Sequence, residues 1–244
     1  MNSPNGITTI LFDLDDTLRH NHPKGHHFFW EYAASLGAPD SEENRQQAQR
    51  WAFEYWADSA YLLYDLKIHG RGEESFWHNY NERHLLALGC SRDQASELAP
   101  QLHKHMSENY QPEDVVLPEV HQILKKLHTV GYTLAVVTNR NEPVGEYLEE
   151  LELHKYFDFS LAGGEIKSWK PKPEIFRVAL ERANAKPEET IYVGDNYFAD
   201  ILGARNVGIQ PILLDPYNYF PEADCHIIRS LTELEQVLAI TQKS

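Results

Sequence analysis

The sequence predicts an α/β fold, a doubly wound parallel sheet with an all-helical domain inserted after its first strand, on three observations. Short apolar runs alternate with amphipathic patterns of helical period at the start of the chain and through its second half. Residues 20–111 interrupt that alternation with helical patterns alone. The 244 residues suffice for one large domain or a core with one modest insertion and can bury roughly 70 to 75% of the unfolded surface without disulfide staples.

Buried strands are expected at Ile7–Phe12, Tyr132–Val137, Phe159–Ala162, Thr190–Val193 and Pro211–Leu214, with a weaker one at His226–Ile228. Between them, apolar residues fall at helical spacing: Val120, Ile123, Leu124, Leu127; Val144, Tyr147, Leu148, Leu151; Phe176, Ala179, Leu180, Ala183; and Leu231, Leu234, Leu238. In the insert, Ala48, Trp51, Ala52, Tyr55, Trp56, Leu62 and Leu63 trace one helical stripe after a start at Ser41. Further helices are expected over Glu73–Leu88 and Asp93–Asn109, the latter kinked or divided at Pro100 because proline donates no amide hydrogen bond. No β-rich run shows in the insert, and Arg19–Gly25 and Asn109–Pro118 read as linkers. The boundaries are therefore 1–19 and 112–244 for the core and 20–111 for the helical domain.

Charge and composition exclude several classes. Thirty-seven acidic against 22 basic residues leave −15, which argues against nucleic acid as a partner, since phosphates call for a basic face. No run approaches the roughly 18 apolar residues of a membrane span, and the first ten residues lack the basic flank of a signal peptide. Cys90 and Cys225 stand far apart without metal-ligand spacing, so a reducing cytoplasm is expected.

The polar residues that end the strands carry the chemistry. After the first strand comes Asp13-Leu14-Asp15-Asp16-Thr17, and ligands of open α/β sheets bind beyond the carboxyl ends of strands. Two carboxylates two residues apart leave a strand on the same face, so Asp13 and Asp15 can converge on one group. The second strand of the core ends in Thr138-Asn139-Arg140, offering a hydroxyl and backbone amides suited to phosphate oxygens. In Lys170-Pro171-Lys172-Pro173 both lysines are held extended by the following proline; Lys172 reads as a solvated helix entrance. The strand ending at Val193 is followed by Gly194, read as permitting a tight turn, then by Asp195 at the strand end and Asp200 in the first turn of a helix, where a carboxylate is favoured anyway.

Taken in this order on successive strands, DxDxT, Thr-Asn, Lys-Pro and Gly-Asp-x-x-x-x-Asp resemble the haloacid dehalogenase superfamily. The resemblance covers residues 7–19 and 117–215, and the insert matches the family's helical cap in position and size. It implies a Rossmann-like core and a hydrolase in which Asp13 is the nucleophile and Asp15 the general acid and base. It further implies Mg²⁺ held by Asp13, the Asp15 carbonyl and Asp195; Lys170 beside the phosphoryl group, oriented by Asp200; and Thr138 with the Asn139 amide on its oxygens. Thr17 and Gly194 would support that site. Dehalogenases of the family replace the second aspartate, because a halide leaves without a proton, so Asp15 points to phosphoryl transfer. The expected activity is hydrolysis of a small-molecule phosphomonoester. A sugar phosphomutase, a 2-haloacid dehalogenase and a binding protein that keeps the fold without the chemistry are the alternatives.

Four of the five tryptophans, Trp30, Trp51, Trp56 and Trp77, lie in the insert and read as its core. His20, His22, His26 and His27 sit in a Pro- and Gly-containing stretch and read as solvated or hinge residues, although Arg19 and His20, directly after the nucleophile motif, are placed to reach a substrate when the cap closes.

Overall fold

The computed structural model describes residues 6–70 and 72–239; the outer limits expected for the core, 1 and 244, lie outside the described residues. The chain forms two compact units, Met1–His20 with Val115–Ser244, and Asn21–Asp114. In chain order the elements are β1 (Thr9–Phe12), β2 (His20–His22), α1 (Gly25–Ser35), α2 (Glu42–Trp56), α3 (Ala60–His69), α4 (Glu74–Ala87), α5 (Arg92–Asn109), β3 (Glu113–Val115), α6 (Pro118–Val130) and β4 (Thr133–Thr138). They continue with α7 (Gly145–Glu150), β5 (Phe159–Ala162), α8 (Gly163–Ile166), α9 (Pro173–Ala183), β6 (Thr190–Gly194), α10 (Leu202–Asn206), β7 (Gln210–Leu214), β8 (His226–Ile228) and α11 (Leu234–Val237).

In the α/β unit the sheet order is β5-β4-β1-β6-β7-β8, with parallel pairing throughout. From β1 the chain winds outward to β4 and β5, then returns to β6 on the other side of β1, so the winding reverses beside β1. Phe12 is level with both Val136 and Val193, which brings Asp13, Thr138 and Asp195 out at one edge. Alternation along each strand sorts the two faces. Ile10, Phe12, Leu134, Val136, Ile191 and Val193 pack with α6, α7 and α11 residues such as Ile123, Leu127, Leu148 and Leu234. Leu11, Ala135, Val137 and Tyr192 pack on the other side with Ile175, Phe176 and Ala179 of α9 and Ala204 of α10. Proline at the first position and a left-handed residue at the end frame both long helices here: Pro118 and Gly131 for α6, Pro173 and Asn184 for α9. The last expected helix is shorter than its pattern, a 3₁₀ turn at Leu231–Glu233 followed by the single turn α11.

The helical unit corrects the sequence reading in four places. The stripe from Ala48 to Leu63 is two helices, since Asp58 adopts a left-handed φ of 54° and the Ser59 hydroxyl accepts the Leu62 amide to start α3. That break turns Leu63 outward while Leu62 stays buried. Helix α5 runs undivided through Pro100, held by buried Ala95, Leu98, Ala99 and Leu102. Helix α1 lies in a stretch whose periodicity was obscured by its histidines and aromatics, and the two linkers contain β2 and β3, which pair with each other. The unit's core joins Phe29, Trp30, Leu85, Leu88 and Leu102, with a second cluster of Tyr55, Leu62 and Phe76 against Trp51, Trp56 and Tyr80. Asp65 is fully buried, yet it accepts hydrogen bonds from Tyr55 and Arg83 at 3.0 Å each. No helix among the described residues is long and apolar enough to cross a membrane.

Burial pushes the His84 imidazole down to about 3; its Nε2 accepts the Trp30 indole N–H at 3.4 Å and its ring stacks on Phe29. The unfolded chain therefore binds a proton that the folded chain refuses between the ordinary value and that depressed one. Stability is full above the unfolded value of about 6.5 and is lost as pH falls toward 3. Denaturant titrations of wild type and His84→Gln should show a shallower loss of stability in the variant between about pH 6.5 and pH 4; parallel curves would remove His84 as a source of acid lability.

Candidate active site

Asp13 follows β1 directly, and its backbone N–H continues the sheet by donating to Val193 O at 2.9 Å. The carboxylate, 6% exposed, faces the ammonium of Lys170. This lysine is 2% exposed and donates to Asp13 Oδ1 at 2.5 Å, Asp200 Oδ1 at 2.6 Å and Tyr192 Oη at 3.0 Å. Its backbone is fixed as well, because the Asn139 side chain donates to Lys170 O at 3.0 Å and accepts from Lys170 N at 2.6 Å. Tyr192 in turn donates to Val137 O at 2.8 Å. Strand β6 thus supplies both a hydroxyl under the lysine and, after Gly194, the Asp195 carboxylate.

Asp195 is part-exposed, and the Thr17 hydroxyl lies 3.4 Å from both Asp13 Oδ2 and Asp195 Oδ1. Asp200 is buried; besides Lys170 it accepts the Asn196 backbone N–H at 2.9 Å, while Asn196 caps the turn by accepting from Phe198 and Ala199. Carboxylate oxygens of Asp13, Asp195 and Asp200 lie within 4.8 Å of one another. Burial raises the Asp13 carboxyl above its ordinary range, with repulsion from Asp200 and Asp15 adding and Lys170 opposing; burial and neighbouring aspartates raise Asp195 likewise. One ammonium against three carboxylates leaves an all-oxygen donor set that favours a cation.

Asp15 has different company. Arg140 Nε donates to its Oδ2 at 2.9 Å and Arg140 Nη2 to its Oδ1 at 2.8 Å, and Arg19 joins the same carboxylate through Nη2. Burial works against ionisation, but these hydrogen bonds and charges outweigh it and hold Asp15 below the usual carboxylate range. Thr138 is buried at the end of β4, its hydroxyl 3.4 Å from the Arg140 N–H. His20 places Nδ1 3.4 Å from Asp16 Oδ1.

The sequence profile of the haloacid dehalogenase-like hydrolases matches residues 7–208. This chain belongs to that family. Human haloacid dehalogenase-like hydrolase domain-containing protein 3 is 31% identical over 237 residues, covering 93% of this chain and 92% of that protein. The glyceraldehyde 3-phosphate phosphatase of Pyrococcus furiosus is 32% identical over 133 residues, covering 52% of this chain and 55% of the phosphatase. Among solved structures, the 2-haloacid dehalogenase of Pseudomonas syringae pv. Tomato DC3000 aligns with a TM-score of 0.54 at 27% identity, over 96% of this chain and 98% of that one.

Several residues of this cluster give no sign in the sequence of the contacts they make. Tyr192 reads as one more apolar position of a buried strand, and the Asn139 side chain reads as a turn residue. Arg140 is visible in the Thr-Asn-Arg run, but nothing local says that it reaches Asp15. Lys172 stays out of the cluster, with Nζ 5.9 Å from the Trp169 ring centre. Among the described residues, the metal-ligating side chains that group together are Asp13, Asp195 and Asp200 and, on the helical unit, Glu74, His78 and His103; the histidines from His20 to His27 contribute to neither group.

Gly194 has a different reason from the turn expected of it, since its φ is not in the left-handed region. A Cβ there would lie 2.3 Å from Asp200 Oδ2. Gly194→Ala should therefore displace Asp200 from Lys170 and cost roughly 100-fold in hydrolytic rate, about 2.7 kcal/mol in the barrier. Gly145→Ala, where a Cβ meets nothing within 4 Å, is the control and should leave the rate unchanged. Kinetics with thermal melts on both variants check this, and an active Gly194→Ala would mean that the Asp200–Lys170 contact is dispensable.

Proposed function

We propose that this hydrolase is a Mg²⁺-dependent phosphatase of small phosphomonoesters, working through an aspartyl-phosphate on Asp13. The observation that carries the reading is the 2.5 Å contact of Asp13 with Lys170 beside two further carboxylates at the end of the sheet. A carboxylate nucleophile approaching a phosphate dianion needs positive charge around it, and Lys170 supplies one such charge.

The donor set fits a hard divalent ion. Asp200 is engaged by Lys170 and by the Asn196 N–H, so Asp13 and Asp195 are the carboxylates that would hold Mg²⁺, with the Asp15 carbonyl as the further ligand that family membership suggests. When bound there, the ion offsets the repulsion between nucleophile and phosphoryl oxygens.

In the reading proposed, an Asp13 oxygen attacks phosphorus while the bond from phosphorus to the ester oxygen breaks. Asp15 gives that oxygen a proton, so the alcohol leaves neutral; because Arg140 and Arg19 hold its carboxyl ionised in the free chain, this step requires that the bound ester first draw them off Asp15 and let it take up a proton. Water then attacks the aspartyl-phosphate, passing a proton to Asp15; the bond between phosphorus and Asp13 breaks and phosphate departs. One water is consumed and both aspartates are restored. Thr138 and the backbone N–H of Asn139 hold phosphoryl oxygens, while Asp200 and Tyr192 keep the ammonium of Lys170 in place. Asp15 favours phosphatase over dehalogenase, since a halide requires no proton. Small substrates are supported by the phosphatase relative, named for a three-carbon ester, and by a net charge of −15 that repels polyanions. The assignment of 20–111 as a cap and a cytoplasmic location, in keeping with the free thiols of Cys90 and Cys225, belong to the same proposal.

Asp13→Asn should abolish phosphate release, to below about one per cent of wild type, with an unchanged circular dichroism spectrum; appreciable residual turnover would take the nucleophile away from Asp13. Exhaustive chelation with EDTA should stop release and Mg²⁺ should restore it, with Ca²⁺ a poor substitute because it accepts extra ligands and looser geometry. Activity that survives chelation would sink the metal assignment.

A further inference from the structure

The helical unit brings together three side chains whose donor chemistry differs from that of the sheet edge. Glu74 and His78 belong to α4 and His103 to α5, and one ligand atom from each lies within 4.8 Å of those of the other two.

The helices themselves explain the meeting. Residues four apart share one face of a helix, and His78 Nε2 lies 3.4 Å from Glu74 Oε1. Residues 88–91 alone connect α4 to α5, and so short a connection folds two helices back against each other. The return sets His103 beside His78, with ring centres 4.6 Å apart and planes at 84°. Phe76 and Leu102, next in line to the two histidines, are buried, so both imidazoles hang from packed helix and not from a loop. Glu74 is exposed and the histidines are half-buried, which leaves one side of the group open to water.

Stability accounts for little of this arrangement. An exposed Glu–His pair at helical spacing contributes almost nothing, and two imidazoles in contact oppose each other's protonation. Burial, with His78 adding, pushes the His103 imidazole below its ordinary value against the pull of Glu74. At neutral pH a ring nitrogen of His103 therefore keeps the lone pair that a metal requires.

We propose that Glu74, His78 and His103 form a binding site for a divalent first-row transition ion, Zn²⁺ being the type case, that bridges the start of α4 to the later half of α5. Two imidazole nitrogens and a carboxylate oxygen are a donor set that zinc takes with its fourth position left to water. The pair on α4 has the placement by which one helix face supplies two zinc ligands. Donors about 2.0 to 2.2 Å from zinc stand about 3.4 Å from one another in a tetrahedron, so the group closes on an ion by rotation of side chains at the surface. The cluster of Asp13, Asp195 and Asp200 offers oxygen alone and suits Mg²⁺, whereas imidazole suits the transition ion. Donor chemistry thus sorts two ions onto two sites, and the site on the helices stands whatever reaction the aspartates perform.

The test titrates the full chain with ZnCl₂ by isothermal titration calorimetry near neutral pH, with Mg²⁺ in large excess to hold the carboxylate cluster. Wild type should bind one equivalent of Zn²⁺ that Mg²⁺ does not displace. His78→Ala and His103→Ala should each weaken this binding by about tenfold or more, since even groups that only orient a ligand are worth that much. Glu74→Gln should weaken it as well, and Asp195→Asn should bind as wild type does. Circular dichroism identifies the variants that fold, and His103→Gln, closer in volume to the half-buried imidazole, takes the place of an alanine variant that does not. Absence of Zn²⁺ binding by wild type under excess Mg²⁺ overturns the proposal. Binding that survives in the histidine variants, or that Asp195→Asn loses, overturns it too, because the ion then sits elsewhere. Loss in His78→Ala with none in the His103 variants overturns the bridge between the helices.

Discussion

A buried ammonium organises the site. Removing the Lys170 charge from water costs several kcal/mol, and the cost is offset by three acceptors at hydrogen-bonding distance: Asp13, Asp200 and Tyr192. Each of those acceptors imposes a demand elsewhere. Asp13 must leave β1 level with the end of β6, which the parallel register of Phe12 with Val193 ensures. Asp200 must approach the strand so closely that only glycine fits at 194. Tyr192 must point away from Val193 and Ile191 toward the face occupied by α9, which strand alternation provides. The lysine itself arrives on an irregular segment, and the Asn139 amide gives that segment the backbone partners a strand would have given it.

Two aspartates separated by a single residue end up in opposite electrostatic conditions. Asp13 lies among carboxylates in a buried place and its carboxyl is raised, whereas Asp15 lies between two arginines and is lowered. Chemically identical side chains are given different work when their surroundings push their proton affinities apart. One is set against the Lys170 ammonium, the other against the guanidinium groups of Arg140, on the turn after β4, and of Arg19, on the same loop as Asp15. The acidic total of the chain conceals this local pattern, because Lys170, Arg140 and Arg19 are gathered beside aspartates at one edge of the sheet.

The helical unit uses different physics. Its aromatic residues pack in tilted and edge-to-face pairs, Trp51, Tyr55, Trp56 and Tyr80 with ring centres 5.1 to 5.6 Å apart, so most of them are accounted for as packing. Two polar groups buried with them are partnered within the unit: Asp65 by Tyr55 and Arg83, the Trp56 indole by Tyr80. A buried carboxylate of this kind gives a helical cluster a specific arrangement that apolar contacts alone leave loose.

Much of the architecture was legible in the sequence because strand and helix periods are local. The apolar runs located β1, β4, β5, β6, β7 and β8, and the strand-terminal motifs located Asp13, Thr138, Lys170, Asp195 and Asp200 before any contact between them was known. Local reading failed where a single residue interrupts a continuing pattern, as Asp58 does between α2 and α3, or where neighbouring helices keep Pro100 inside one helix. Register and packing decided the rest. Only the folded chain shows that Tyr192 supports the lysine, that Gly194 makes room for Asp200 without any special φ, and that Arg140 belongs to Asp15, 125 residues earlier. Composition and spacing determine which groups arrive at the sheet edge. Which charge faces which is a matter of a few ångströms across separate strands, and tertiary packing alone sets that distance.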